Sequence, residues 1–399
     1  MIEVSRHSRN LLMFALSLLL VGMARADSLG VRLVGHCDTP GSASDVAVAG
    51  SYAYVADWNS GLRVITVADP AHPAEVGSVD TPSQAGWVAA SGSYAYVAAL
   101  SSGLHVISVS NPASPTEVGH CQTHGAFGVA VSGSYAYVGD SSGLRVISIS
   151  DPAHPAEAGY CATTGSAEDV AVQGNYAYVV DTFGLRVMSI SDPAHPVEVG
   201  QLFMPDYPYG VAVSGDYAYV ADNGAGLRVV SVVDPAHPTE VGHLNTPGVI
   251  KIVLDGGNAY CTGGPTLGVV SVADPAHPSQ VGYYNTQGQA FGAAASGGYI
   301  YVADDTRGLQ ICQYYGGGVE ETPNAEVRAV LSEPTVVRGV LMMGQQLTAN
   351  VLRPELLDAS GRNVAVLHAG ANDVSRLAPG VYFVREAQAQ AVRKVVVTR

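Results

Sequence analysis

Gly143-Leu144-Arg145-Val146-Ile147-Ser148-Ile149-Ser150-Asp151-Pro152-Ala153-His154-Pro155 decides the reading of this chain, because versions of it return throughout. Its leucine recurs at Leu62, Leu104, Leu144, Leu185, Leu227, Leu267 and Leu309. Upstream of each copy stands a strand led by Tyr52, Tyr94, Tyr135, Tyr176, Tyr217, Asn258 or Tyr299, positions 42 residues apart once and 41 apart five times. A period near 41 is the signature of a repeat architecture.

Each repeat reads as four short strands. In the third copy Val129-Ala130-Val131 precedes a Gly133-Ser134 turn, and Tyr135 to Gly139 follows as the second strand. Glycine opens that turn in all seven copies, at Gly50, Gly92, Gly133, Gly174, Gly215, Gly256 and Gly297, which suits the positive φ of a two-residue hairpin. A second turn, usually opened by aspartate, leads into Leu-Arg-Val-Ile-Ser-Ile. Asp-Pro-Ala-His-Pro ends that strand, and Ala156 to Cys161 supplies the fourth. Such a unit is too thin to bury both faces alone, so radial stacking as propeller blades is expected, with Tyr135-Ala136-Tyr137 setting large side chains against small ones on the next blade.

The ends of the array point to a closed ring. The seventh copy leaves the pattern after Gly308-Leu309-Gln310-Ile311-Cys312 and has no fourth strand, whereas Val31-Arg32-Leu33-Val34-Gly35-His36-Cys37 matches the fourth strand Thr116 to Cys121. The N-terminal strand is therefore expected to complete the last of seven blades and remove the open edges. This closure predicts a Cys37–Cys312 disulfide.

The repeats resemble the LVIVD family, named for the strand that here reads Leu62-Arg63-Val64-Ile65-Thr66-Val67-Ala68-Asp69, and the similarity runs from Val31 to Tyr315. The resemblance implies a β-propeller on exported or surface proteins, generally without established activity and with no catalytic residues to carry over. Beyond the glycine run, Val319-Glu320-Glu321-Thr322-Pro323-Asn324 reads as a linker. Glu355 to Val364, Leu377 to Arg385 and Val392 to Val397 then form hairpins of a small immunoglobulin-like β-sandwich. Their Gly-Val-Tyr-Phe-Val-Arg and Arg-Lys-Val-Val-Val segments resemble the C-terminal sorting domains of type IX secretion substrates. That resemblance implies an address read by outer-membrane secretion machinery; an ordinary accessory β-sandwich is the alternative.

Arg6 and Arg9 precede the apolar run Leu11 to Met23, and Ala24-Arg25-Ala26 gives a small-x-small cleavage pattern. The expected organisation is a signal peptide at 1–26, an all-β propeller at 27–316, a linker at 317–326 and the sorting domain at 327–399. A membrane anchor is the alternative at the N-terminus, but the run is shorter than the roughly 20 residues a spanning helix needs. The expected product is secreted or held at the cell surface. Between residues 27 and 318 there are 25 acidic and 7 basic side chains, and only Lys251 and Lys394 are lysines in the whole chain, which excludes a phosphate-binding nucleic-acid surface. The five cysteines, Cys37, Cys121, Cys161, Cys261 and Cys312, are too widely spaced for a zinc ribbon or a CxxC motif.

No cofactor, metal or catalytic motif emerges. His72, His154, His195, His237 and His277, from Asp-Pro-Ala-His-Pro, would sit on the order of 15 Å apart on different blades, so they read as solvent-facing members of rigid turns. Asp57, Asp140, Asp181, Asp222 and Asp304 read as turn-capping aspartates; calcium loops would need more oxygen ligands. No serine lies in Gly-x-Ser-x-Gly with a placed histidine. The copies diverge most in two loops that share one rim, those entering the first strand and those leaving the second. The candidate binding residues are Trp58, Trp87, Phe127, Glu168, Asp169, Phe183, Tyr207, Tyr209, Lys251, Phe291 and Arg307. Aromatics at a channel mouth offer flat apolar area to a protein or glycan partner; neutral loop drift is the plain alternative. A secreted glycan lyase or hydrolase in the central channel is the second functional class, and Glu168 and Asp169 are its only plausible acids.

Overall fold

A computed structural model describes residues 28–316, residue 377 and the strands Thr335–Val337, Val340–Met343, Glu355–Leu357, Asn363–Val366, Gly370–Asp373, Gly380–Arg385 and Val392–Val397. The expected signal peptide and linker lie outside the described residues. No helix occurs among those that are described.

Residues 28–316 form a seven-bladed β-propeller. Each blade is an antiparallel sheet whose strands follow one another from the axis outward. Blade one, for example, is Asp45–Ala49, Tyr52–Ala56, Leu62–Thr66 and Ala74–Val79. First strands lie against first strands all the way round, including Gly292–Ser296 of blade seven against Asp45–Ala49 of blade one. The turn glycines have φ between 56° and 61° at all seven positions. Where Gly257 or Gly298 follows, both turn residues have positive φ, the signature of a type I′ turn.

Closure is made by the N-terminal strand. Val31–Cys37 pairs antiparallel with Leu309–Tyr314, giving blade seven its outer strand. Two residues earlier the chain does something the repeat pattern did not signal: Ser28–Leu29 pairs with Ser279–Asn285 as a fifth strand of blade six. Gly30, at φ 65°, steps between the two sheets. Its carbonyl accepts a hydrogen bond from Tyr315 N at 3.0 Å.

The seven seams between blades carry the core. At the first, Tyr54, Leu62 and Val64 of blade one pack with Ala95, Val97 and Ile107 of blade two. The tyrosine–alanine alternation is what lets tyrosine-bearing faces meet alanine-bearing ones. At the outside, the fourth strand of one blade meets the Asp-Pro-Ala-His-Pro turn of the next. A Cβ on Gly119 would overlap the Pro152 carbonyl oxygen and lie 2.7 Å from Pro155 Cδ. Blade seven has no such turn, and a Cβ on Gly282 would instead meet Leu29 O at 2.8 Å. The N-terminal segment thus fills the gap left by the missing motif.

This register overturns the Cys37–Cys312 disulfide. Cys37 stands opposite Leu309 and Cys312 opposite Leu33, so the cysteines are offset by three positions, about 10 Å along a strand. An odd offset also puts them on opposite faces: Cys312 is buried in the seam with blade six, while Cys37 packs on the seam with blade one. All five thiols are free.

The chain divides into two compact units, Met1–Gly317 and Gly318–Arg399. In the second, Gly380–Arg385 and Val392–Val397 pair as a hairpin, and Glu355–Leu357 pairs antiparallel with both Asn363–Val366 and Gly380–Arg385.

Candidate functional site

The recurring histidines and aspartates are engaged in local structure. In each Asp-Pro-Ala-His-Pro turn the histidine Nδ1 lies 2.8 or 2.9 Å from its own aspartate, as His154 does from Asp151 Oδ2, and is exposed to solvent. The aspartates after the second strand are fully buried. Asp57 accepts from Thr39 Oγ1 at 2.6 Å and Gly41 N at 2.8 Å, so it ties down the loop that enters its own blade, whereas Asp140 caps its turn by accepting from Ser142 N at 2.8 Å and Gly143 N at 3.0 Å.

Their second partner, which the sequence reading missed, is the arginine of Leu-Arg-Val. Arg63, Arg145, Arg186 and Arg228 meet Asp57, Asp140, Asp181 and Asp222. Where the turn is short, the guanidinium bonds directly: Arg186 Nε to Asp181 at 3.0 Å, and Arg145 to Asp140. At Asp140, hydrogen bonds from Arg145 and Ser142 outweigh the effect of burial and hold the carboxyl below its ordinary pKa. In blades one and five the turn is longer and Nε stands off at 3.6 Å. Burial then dominates and pushes Asp57 and Asp222 upward.

Most of the divergent residues converge at the axis. On the rim where the first strands begin, a cavity of about 300 Å³ is lined by residues of six blades, including Trp58, Trp87, Glu168, Tyr209, Lys251 and Phe291. Strand crowding explains which residue types can stand there. At the first-strand position facing the axis, blades three, five and seven carry Gly128, Gly210 and Gly292. A Cβ on Gly128 would lie 2.5 Å from Asp169 Oδ1, and one on Gly292 would lie 2.5 Å from Asp45 Oδ1. Side chains therefore fit on alternate blades as Asp169, Lys251 and Asp45. An odd number of blades leaves one extra place beside Asp45, and Trp87 occupies it.

Lys251 Nζ bonds both carboxylate oxygens of Asp169, at 3.0 and 3.1 Å. Asp169 and Asp45 also each accept the backbone N–H of the following blade, Val211 N and Val88 N respectively, both at 3.1 Å. Burial works against the Lys251 ammonium, but the charges of Asp169 and Asp45 outweigh it and hold its pKa above the ordinary lysine value. Asp45 is only 5% exposed, and burial pushes it up to about 6. Glu168 is raised for the same reason and accepts a 2.6 Å hydrogen bond from the Tyr207 hydroxyl, whose own pKa burial and Glu168 push up to about 12.

The aromatic walls are braced from behind. Phe127 meets Trp87 edge to face at 5.6 Å, and Tyr207 lies 4.8 Å from Tyr209. Trp58 and Asp305 hold positive φ, 49° and 50°, without being glycine. Paired backbone hydrogen bonds pin them: Trp58 to Ala85 of blade two, and Asp305 to Ala43 of blade one. Both line the cavity, so the strained turns aim side chains into it.

Of the eleven candidate residues, six line the cavity, while Phe127, Asp169 and Tyr207 support those that do. Phe183 and Arg307 are not brought in; Phe183 is 46% exposed on the turn of blade four. Ser42, Ser44, Asp45, Ile250 and Asp305 line the cavity without having been singled out. Asp45 was findable, because it occupies the same repeat position as Trp87, Asp169 and Lys251.

No curated protein sequence matches the chain. Among solved structures, a chain from "Crystal Structure of Mitotic Checkpoint Complex" superposes with a TM-score of 0.61 at 12% identity, covering 73% of this chain and 97% of that one. The WD40 β-propeller domain of Doa1 gives 0.58 at 14% identity, with 71% and 97% covered. The computationally designed Ika8 protein gives 0.53 at 9%, with 70% and 98% covered. These likenesses establish the propeller fold. The LVIVD repeat pattern matches seven times, at 40–81, 83–123, 125–163, 164–202, 208–246, 249–286 and 287–312, most of the chain, and the protein therefore belongs to the LVIVD-repeat family.

Proposed function

We propose that this protein is an exported or cell-surface β-propeller that binds a partner, a protein or a glycan, through the rim bearing the axial cavity, and that it is a binding or scaffold module. The observation that carries this reading is the convergence of residues the repeats do not share, Trp58, Trp87, Tyr209, Lys251 and Phe291, on one cavity. Shared positions are explained by the seams and turns; these are not. Export rests on the Arg6 to Ala26 pattern, and delivery by outer-membrane secretion machinery rests on the hairpin sequences of the C-terminal unit. Capture of surface proteins or glycans by the intact chain tests it: Trp87→Ala, Tyr209→Ala and Phe291→Ala are expected to abolish capture together, and unchanged capture would reject the rim.

One observation favours a second reading. Asp45 and Glu168 are acids with upward-shifted pKa values in the same cavity, the usual state of a general acid. A secreted glycan lyase or hydrolase would then show turnover on a polysaccharide panel that Glu168→Gln or Asp45→Asn removes.

A further inference from the structure

The cavity combines two features whose conjunction is selective: an aromatic wall and an excess of acid over base. Trp58, Trp87, Tyr209 and Phe291 form the wall. Asp45, Glu168 and Asp305 line the same space, and Asp169 lies against it through Lys251. The one cation, Lys251, is held by both oxygens of Asp169. Among the described residues, none of the other three carboxylates is bonded to a cation: Asp45 feels the charge of Lys251 but accepts its hydrogen bond from Val88 N, Glu168 accepts from the Tyr207 hydroxyl and Asp305 from the Ser42 hydroxyl.

Resting on the binding-module reading above, we infer that this cavity takes an alkylammonium group, a primary or methylated amine carried by a small molecule or by a lysine side chain. An ammonium gains from both features at once, through the negative faces of the rings and the charge of the carboxylates. Other classes match only half of the site. An anion would meet Lys251 already neutralised by Asp169 and three further acids beside it. A hard metal ion needs several converging oxygens at 2.3–2.6 Å, roughly, and aromatic walls offer none; no group of three or more ligating side chains among the described residues is arranged to hold one. A neutral sugar would stack on the rings but leave the carboxylates without a counter-charge. The raised pKa values of Asp45 and Glu168 agree, since each acid sits where its charge is poorly solvated and an incoming cation would relieve that cost.

The molecule carries its own reporter, because Trp58 and Trp87 are its only two tryptophans and both line the cavity. Choline, a short peptide amide containing trimethyllysine, and 3,3-dimethylbutan-1-ol, the uncharged isostere of choline, are titrated against the full chain. Tryptophan emission and calorimetry are read together. The charged probes are expected to saturate both signals and to bind about tenfold or more tightly than the isostere. Whichever charged probe binds tighter identifies the source of the ammonium. Asp45→Asn and Glu168→Gln, which keep side-chain volume, are expected to weaken choline about fivefold or more, while Phe183→Ala, outside the cavity, leaves it unchanged. If neither charged probe binds, or the isostere binds as well as choline, the inference fails. Surface-partner capture that still depends on Trp87, Tyr209 and Phe291 in that event would leave the binding-module reading standing.

Discussion

Replacing Asp45 by asparagine should make the folded ring more stable at neutral pH, although it removes a hydrogen-bonded, buried side chain. Asp45 is 5% exposed and its pKa is pushed from 3.8 to about 6, chiefly by burial, with Asp169 adding to the rise and Lys251 and the Val88 N–H opposing it. An acid whose pKa is higher folded than unfolded is protonated more readily in the folded state. Its ionisation therefore weighs against folding, not at all below pH 3.8 and in full above pH 6. Two pKa units at 1.36 kcal/mol each give about 3 kcal/mol at pH 7.5 and about 1 kcal/mol at pH 4.5. Asparagine keeps an acceptor for Val88 N and has nothing to ionise. Urea unfolding of the wild type and Asp45→Asn at both pH values should show the variant gaining about 2 kcal/mol more at pH 7.5 than at pH 4.5. Asp304, also raised to about 6, titrates in both proteins and cancels in the comparison. A variant less stable than wild type at pH 7.5, or a gain that does not change with pH, would refute the account of Asp45 as a charge kept at the axis against the interest of the fold. Residues of that kind mark sites where function and stability compete.

Choline affinity should fall as pH drops through about 6, because Asp45 then takes up a proton while Lys251, facing it with Asp169, stays charged; calorimetric titrations at pH 5 and 7.5 measure this. Gly119→Ala should cost about 1–3 kcal/mol by thermal or urea unfolding, because the new methyl group overlaps the backbone of the Asp-Pro-Ala-His-Pro turn of blade three. Gly133→Ala, with φ 59° and nothing within 4 Å of the added carbon, should cost about 1 kcal/mol from backbone conformation alone. Arg186→Met should destabilise by about 3 kcal/mol by stranding the buried Asp181, and more than Arg63→Met, whose Nε stands 3.6 Å from Asp57 and makes no hydrogen bond to it. Denaturant midpoints of the two variants decide the order.

Much of the fold was legible because a repeat multiplies every local signal by seven. The Gly133 turn is ambiguous alone and unambiguous in a series, and the match of Val31–Cys37 to Thr116–Cys121 carried ring closure. What escaped was set by register and by pairing across blades. The cysteines were matched by strand, but the two-residue alternation of a strand sends Cys37 and Cys312 to different seams. Ser28–Leu29 is too short to show any pattern, and its place is fixed by the absence of a motif elsewhere. The Asp–Arg link was readable: blade two, with Ala99 for the aspartate, has His105 for the arginine, and blade six, with Gly263, has Gly268. The site was half legible. Divergence located Trp58, Trp87, Lys251 and Phe291, but it passed over Asp45, since an aspartate near a turn looks ordinary until its ring-mates at the same repeat position are Trp87, Asp169 and Lys251.

Residues 28–37 span two junctions, joining blade six through Ser28–Leu29 and blade seven through Val31–Cys37. The piece synthesised before every blade is thus the last to find its place, and it must wait until Leu309–Tyr314 has emerged. Until then the arc ends in a bare edge with its complement tethered far away along the polymer. Two complete chains that meet before closing each hold the strand the other's last blade lacks, so crowded refolding favours a reciprocal exchange of these ten residues and a swapped dimer with both toroids complete.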